Sequence, residues 1–179
     1  MSSVGFEPVE DANARVLILG TLPGAKSLQA RQYYANKANS FWWIMEQLLG
    51  SLPDDYEGRL KCLKVAGIAL WDVCHSAGRS GSLDSKILAK TIRPNDFESF
   101  ARSHPQLKLI CFTSATAKKI FRDQELDRLP GISSIRCELL PSTSSANTWM
   151  TRQQKLSRWR ESLGKHVRLA HSEDAAAGH

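Results

Sequence analysis

Aliphatic runs alternate along this chain with polar loops built from small residues. The first run, residues 15–20 (RVLILG), is apolar throughout between its arginine and its glycine, which predicts a strand covered on both faces. Downstream, Phe41, Ile44, Met45 and Leu48 recur at three- and four-residue intervals, the stripe of a helix with one buried face. Trp42 and Leu49 widen that face, whereas Trp43 falls on the other side with Glu46 and Gln47 and is expected to be partly exposed. Asn39 or Ser40 can cap this helix. Tyr56, Leu60, Leu63 and Lys64 predict a second helix over 54–66. Further strands are expected at 67–71 (GIALW), 107–112 (LKLICF) and 134–140. Short helices are expected at 85–90 and 96–103, another at 115–123, and a last one at 151–163 that buries Leu156, Trp159 and Leu163.

Strands alternating with helices predict an α/β fold: a three-layer α/β/α sandwich with a central, mostly parallel four-stranded sheet. Residues 1–164 are expected to form one domain, with 165–179, ending in AAAGH, as a frayed tail. Open parallel sheets bind ligands beyond the carboxyl ends of their strands. Here each strand is followed by a polar loop: TLPGAKS, DVCHSAGRSGSLD, TSAT and PSTSSAN. These four loops are expected to converge on one edge, which is the candidate site.

Composition narrows the classes. With 179 residues, 42% apolar and 23% charged, the chain reads as one globular domain with no run long enough to span a bilayer. The start, MSSVGFEPVEDANAR, lacks the basic-then-apolar pattern of a secretory signal, so the expected location is the cytosol or its nucleoid. Cys62, Cys74, Cys111 and Cys137 lack C-x-x-C spacing, which argues for reduced thiols and against a metal centre. The net charge is +6 and the pI about 9.3. Arg152, Lys155, Arg158, Arg160, Lys165 and Arg168 cluster against Glu161 alone, which fits either a solvated helix face or a polyanion contact.

The first loop, Gly20 to Ser27 (GTLPGAKS), approaches the phosphate-cradling pattern G-x-x-x-x-G-K-[ST], and GIALWD mimics a strand ending in a magnesium-holding aspartate. That supports a small nucleotide-binding kinase or NTPase. Ala25, where bare backbone is needed, and Pro23 within the loop count against it.

The longer stretch 20–44, GTLPGAKSLQARQYYANKANSFWWI, resembles the uracil-DNA glycosylase superfamily. Gly20, Pro23 and Gly24 match its G-x-N-P-G element, and Tyr34, Ala35, Asn39, Phe41 and Trp42 match the aromatic and A-x-x-x-N-x-F-W element of the mismatch-specific branch. PSTSSAN (141–147) is similar to the family's second motif. The phrase GTLPG, and GIALWD followed by R-x-G-S-L-D (79–84), are similar to the hypoxanthine-DNA glycosylase branch. The likeness runs from about Phe6 to Leu163.

The resemblance implies hydrolysis of the N-glycosidic bond of a deaminated base in double-stranded DNA, hypoxanthine first, by a monomer needing no metal or organic cofactor and no membrane. Other readings are mismatch-specific uracil excision and a catalytically silent DNA-binding relative. Leu22 and Leu140 stand where uracil-excising relatives carry polar groups, so the resemblance moves the catalytic role to Asn39. A carboxamide accepts no proton at neutral pH; it would orient a water or bond to the leaving base. Gly20, Thr21, Leu22, Pro23, Tyr34, Asp72 and Thr113 are expected to form the base pocket, with Tyr34 stacking on the base. Gly24, Lys26, Ser27, Ser142, Thr143, Ser144 and Asn147 are expected to meet the DNA backbone. Arg79 and Asp84 read as structural and His75 as a surface residue. Ser144 and Ser145 occupy the place of the family's bulky wedge. With no lysine placed to form a Schiff base, the enzyme is expected not to cut the strand.

Overall fold

The computed structural model describes residues 2–170. In chain order its elements are β1 (Ser2–Val4), β2 (Val16–Gly20), α1 (Ala25–Ala30), α2 (Phe41–Leu49), α3 (Tyr56–Val65), β3 (Ile68–Asp72), β4 (Cys74–Gly78), β5 (Arg93–Pro94), α4 (Phe97–Ser103), β6 (Leu109–Phe112), α5 (Ala115–Asp123), β7 (Arg136–Leu139) and α6 (Arg152–Leu163). The main sheet has the order β3-β2-β6-β7, and every pairing in it is parallel.

Alternation along the strands divides the core in two. Val16 and Ile18, Ile68 and Leu70, and Leu109 and Cys111 face a layer of α2, α3 and α6, where Phe41, Met45, Leu63 and Trp159 are fully enclosed. Leu17 and Leu19, Ala69 and Trp71, and Ile110 and Phe112 face the opposite layer, packed by Phe97, Phe100, Ile120 and Phe121 of α4 and α5. Both faces are covered, which explains why these strands read as unbroken apolar runs, and the expected three-layer sandwich is what forms.

Several expectations are corrected. The polar stretch 72–84 contains β4, which joins β1 and β5 in a small antiparallel sheet. Its buried Cys74 and Ala77 are too small and too widely spaced to signal a strand among serines and glycines. The first loop folds part of itself into α1. The helix expected at 85–90 is instead two 3-10 turns, Asp84–Lys86 and Ala89–Thr91. The tail does not fray at 165: Val167 is buried and the Ala170 N–H donates to the Leu48 carbonyl at 2.8 Å. Residues 171–179 of that tail lie outside the described residues. All four cysteines are free, with Cys74 and Cys111 buried.

Candidate active site

The parallel register brings the strand ends level. Gly20 lies opposite Asp72, Leu19 opposite Phe112, and Phe112 opposite Leu139. The chain leaving each end therefore emerges on one edge, and the four loops enclose a cleft of about 800 Å³. Asn39 and every residue expected to form the base pocket or meet the DNA backbone line it. Gly20 to Gly24, Lys26 and Ser27 come from the first loop, Tyr34 and Asn39 from the approach to α2, Asp72 and Thr113 from strand ends, and Ser142, Thr143, Ser144 and Asn147 from the last loop.

The floor is a close-fitted polar assembly. A Cβ on Gly20 would stand 2.5 Å from Asp72 Oδ1, so only glycine admits that carboxyl. Asp72 is buried, and its Oδ2 has no hydrogen-bond partner. Burial, reinforced by the nearby Asp84 carboxylate and opposed by Arg79, pushes the Asp72 carboxyl up to about 7. Asp84 differs: its Oδ2 accepts from Thr21 Oγ1 at 2.6 Å and from Ser114 Oγ at 3.1 Å. The Thr113 hydroxyl donates to the Leu19 carbonyl at 3.2 Å. The buried Arg79 guanidinium donates to the Leu22 carbonyl at 3.2 Å and to the Pro23 carbonyl. Arg79 and Asp84 thus brace the first loop through carbonyls and hydroxyls, as structural residues, and His75 is exposed.

The same bracing counts against phosphate cradling by that loop. The Ala25 N–H donates to Ser82 Oγ at 2.8 Å, and the Leu28 N–H to the Gly24 carbonyl at 2.9 Å, so these amides are turned into the protein.

Beside the floor, Tyr34 is half-buried at φ 55, a left-handed conformation uncommon for an aromatic residue. Its ring stacks on Phe41 with centroids 3.7 Å apart and planes 10° from parallel. Burial and the Asp72 carboxyl raise its phenol above the ordinary tyrosine range. Asn39 is also half-buried, and its Oδ1 accepts the Phe41 N–H at 2.9 Å. Capping therefore comes from Asn39, one residue ahead of Ser40, which stands at the cap position without a side-chain bond. Because an N–H must meet the oxygen, the orientation of the carboxamide is fixed and its amino group turns away. Among the described residues that amino group has no hydrogen-bond partner. The Ser40 N–H donates to the Thr143 carbonyl at 2.9 Å, which ties the last loop to the start of α2.

The rim is more mixed. Lys26 is exposed, with Nζ 3.2 Å from Asn36 Oδ1. Ser142 and Ser144 are half-buried, and their hydroxyls accept backbone N–H groups of Ser144 and Ala146, each at 3.2 Å. Thr143 and Ser27 are buried, and Ser27 Oγ accepts the Ala35 N–H at 3.3 Å. Asn147 Oδ1 is buried without a partner. The basic cluster of α6 is not one exposed face. Lys155 is buried and donates to the carbonyls of Asn147 at 2.8 Å and Ser144 at 3.3 Å, holding the last loop in place. Arg152 lies over the Trp43 ring, 3.9 Å from its centroid. Sequence reasoning missed Ser82, Asn36 and Trp149 as lining residues. For Trp149 a signal existed: a large aromatic inside an otherwise polar loop.

The chain is similar to known proteins over most of its length. The model of the family described as the uracil DNA glycosylase superfamily matches residues 7–164. The chain is 38% identical over 164 residues to a protein of Methanosarcina acetivorans named hypoxanthine DNA glycosylase, covering 90% of this chain and 98% of that one. It is 35% identical over 165 residues to a protein of the same name from Methanosarcina barkeri, covering 91% and 99%. A solution NMR structure from Methanosarcina acetivorans, provisionally named a uracil DNA glycosylase, superposes with a TM-score of 0.75 at 38% identity, over 91% of this chain and 97% of that one.

Proposed function

The chain belongs to the uracil DNA glycosylase superfamily, and from that membership we propose that it hydrolyses the N-glycosidic bond of deaminated bases in DNA, hypoxanthine first, leaving an abasic site. It is a DNA glycosylase, a hydrolase of N-glycosyl bonds in base-excision repair. The observation that carries the assignment is the meeting of four strand-end loops around one cleft, with the Asn39 amide at its side and the Asp72 carboxyl on its floor.

A base inside a duplex is out of reach, so the nucleotide must be turned out into the cleft, at a cost of a few kcal/mol. Tyr34 has one face against Phe41 and offers the other to the base. Bond cleavage places positive charge on the sugar and negative charge on the leaving purine, and preoriented donors in a dry site stabilise such charge most. The Asn39 amino group, fixed by the cap bond of its own oxygen, is such a donor. Asp72 supplies a second: with its carboxyl near 7, a large fraction is protonated at neutral pH, and Oδ2 is free to donate to an acceptor on the purine edge. Lys26, Ser142 and Ser144 at the rim suit the DNA backbone. Ser27 and Thr143, being buried, act by shaping the loops that carry the rim. The substrate is duplex DNA, the working form a monomer, and the place of action the cytosol or its nucleoid. Among the described residues no helix is long and apolar enough to cross a membrane.

The test is to incubate the protein with duplexes carrying one deoxyinosine, deoxyuridine or deoxyxanthosine and to score alkali-labile abasic sites. Release from deoxyinosine ahead of the others, with the strand left intact until alkali is added, is expected. Release from deoxyuridine alone would favour mismatch-specific uracil excision. DNA binding with no release from any duplex would make the chain a silent relative, and magnesium-dependent ATP turnover would return the nucleotide reading of the first loop.

A further inference from the structure

Turning a nucleotide out of a duplex leaves a gap in the base stack, and something must fill it while the base is held. The last loop carries serines at 144 and 145, whose side chains are too short to fill a vacated base step. Two features of the same loop point to another residue. Trp149 is 83% exposed, the most open tryptophan that a chain burying Trp71 and Trp159 displays. It also lines both the cleft described above and a second cavity of about 670 Å³ over β7 and α6, so its indole stands at the lip the two share.

The loop beneath it is fixed. Lys155 grips the carbonyls of Ser144 and Asn147, and the Asn147 N–H donates to the Ser144 carbonyl at 3.1 Å. On the other side, Thr151 and Gln154 form a reciprocal capping box that starts α6 two residues after the indole. An exposed aromatic on a braced support loses little freedom on binding, unlike one on a loose loop. Its surroundings suit a polyanion. Lys118, Arg136, Arg158 and Lys165 line the second cavity, while Glu138, one of its two acids, is engaged by Arg136 at 2.6 Å and by Ser162. Aromatic and other apolar side chains inserted at a base step are a general means of holding a duplex distorted.

We propose that the Trp149 indole is the wedge, entering the stack at the position vacated by the nucleotide drawn into the cleft, with the basic cavity behind it facing the flanking phosphates. This rests on the glycosylase reading. A wedge matters only where there is a stack to replace, so the readout is the ratio of single-turnover hypoxanthine release from duplex to that from single-stranded deoxyinosine DNA. Trp149→Ala is expected to lower that ratio about 10- to 100-fold, the range set by the loss of one stacking contact. Trp149→Phe is expected to recover most of it, and melting temperature should stay at the wild-type value in both. 2-Aminopurine placed beside the lesion should brighten on binding wild-type protein and less so with the alanine variant. An unchanged ratio, or equal losses on duplex and single strand, would overturn the wedge while leaving the glycosylase intact. Wild-type protein that releases hypoxanthine from neither substrate would overturn the hypoxanthine reading on which this wedge rests.

Discussion

On the floor of the cleft Thr21, Asp72 and Thr113 are 3%, 5% and 9% exposed, whereas at its rim Trp149 is 83% exposed and Lys26 stands in solvent. The floor is short side chains from strand ends: the Thr21 hydroxyl bonds to Asp84 and the Thr113 hydroxyl to the Leu19 carbonyl, while Asp72 Oδ2 has no partner. The rim adds the longer Lys26 and Trp149 side chains to serines, on loops that are themselves pinned from below by Lys155 and Arg79. The difference follows from what each must do. Charge developing on a leaving base is best stabilised where water is excluded and dipoles are already aimed. A polyanion is gripped by cations that remain hydrated until it arrives. Asn39 joins the two: it lines the cleft, and its oxygen accepts the Phe41 N–H at the start of α2.

This contrast is broken most severely at the junction. Asn39→Ala should lower hypoxanthine release about 100- to 1000-fold, the usual effect of deleting one aimed donor, with DNA affinity nearly unchanged. It also removes the Phe41 cap, which costs about 1 kcal/mol. Asn39→Asp keeps the cap acceptor and loses the donor, so it should match the alanine variant in rate and the wild type in melting. Single-turnover assays and thermal melts read both effects.

The floor makes the next prediction. The folded carboxyl of Asp72, at about 7, lies above its unfolded value of 3.8. The folded state therefore holds that proton more tightly. The stabilisation is full below pH 4 and is lost as pH rises through 7. Relative to wild type, Asp72→Asn should gain on the order of 2–4 kcal/mol above pH 8 and nothing below pH 4. Wild-type base release is expected to decline above pH 7 as Asp72 loses its proton, and Asp72→Asn should lack that decline, because the amide donates at every pH. Melts at pH 4 and pH 8 together with a pH–rate profile check this; a wild-type rate flat across pH 6–9 would remove Asp72 as a donor.

The rim supplies the smallest effect and sharpens the contrast. Lys155→Met keeps the packed stem but frees the Ser144 and Asn147 carbonyls, at a cost of about 1 kcal/mol. DNA binding should weaken with no change in its salt slope, since a buried cation releases no counterions. Replacing the exposed Arg158 by Gln should reduce that slope by about one.

The floor and its sheet were largely legible in the sequence. The strands covered on both faces appear as aliphatic runs, each ending in a small-residue loop, and ligand sites follow strand ends. α5, expected over 115–123, occupies those residues. What stayed hidden depends on packing. β4 is a strand of small residues that earns its pairing from β1 and β5, far away in sequence. Lys155 looks like any other cation of α6 until the last loop lies against it. The pairing of Asp84 with Thr21 and Ser114 spans 63 and 30 residues. By residue type alone Asn39 reads as a cap, and it is one; the catalytic role proposed for it rests on the resemblance of 20–44 to a family. Trp149 is legible by residue type as a large aromatic, but only the folded loop shows that it stands exposed at the lip of the cleft.

Amide NMR reads directly whether an everted base lies against the Asn39 amide. Labelled wild-type protein would be titrated with a duplex carrying a non-hydrolysable 2′-fluoro deoxyinosine and, separately, with the same duplex carrying deoxyguanosine. The account predicts that the Asn39 side-chain amide and the backbone amides of Gly20 and Thr113 shift with the inosine duplex and hardly at all with the other. Identical shifts with both duplexes, or cleft resonances that stay still while another surface responds, would contradict it.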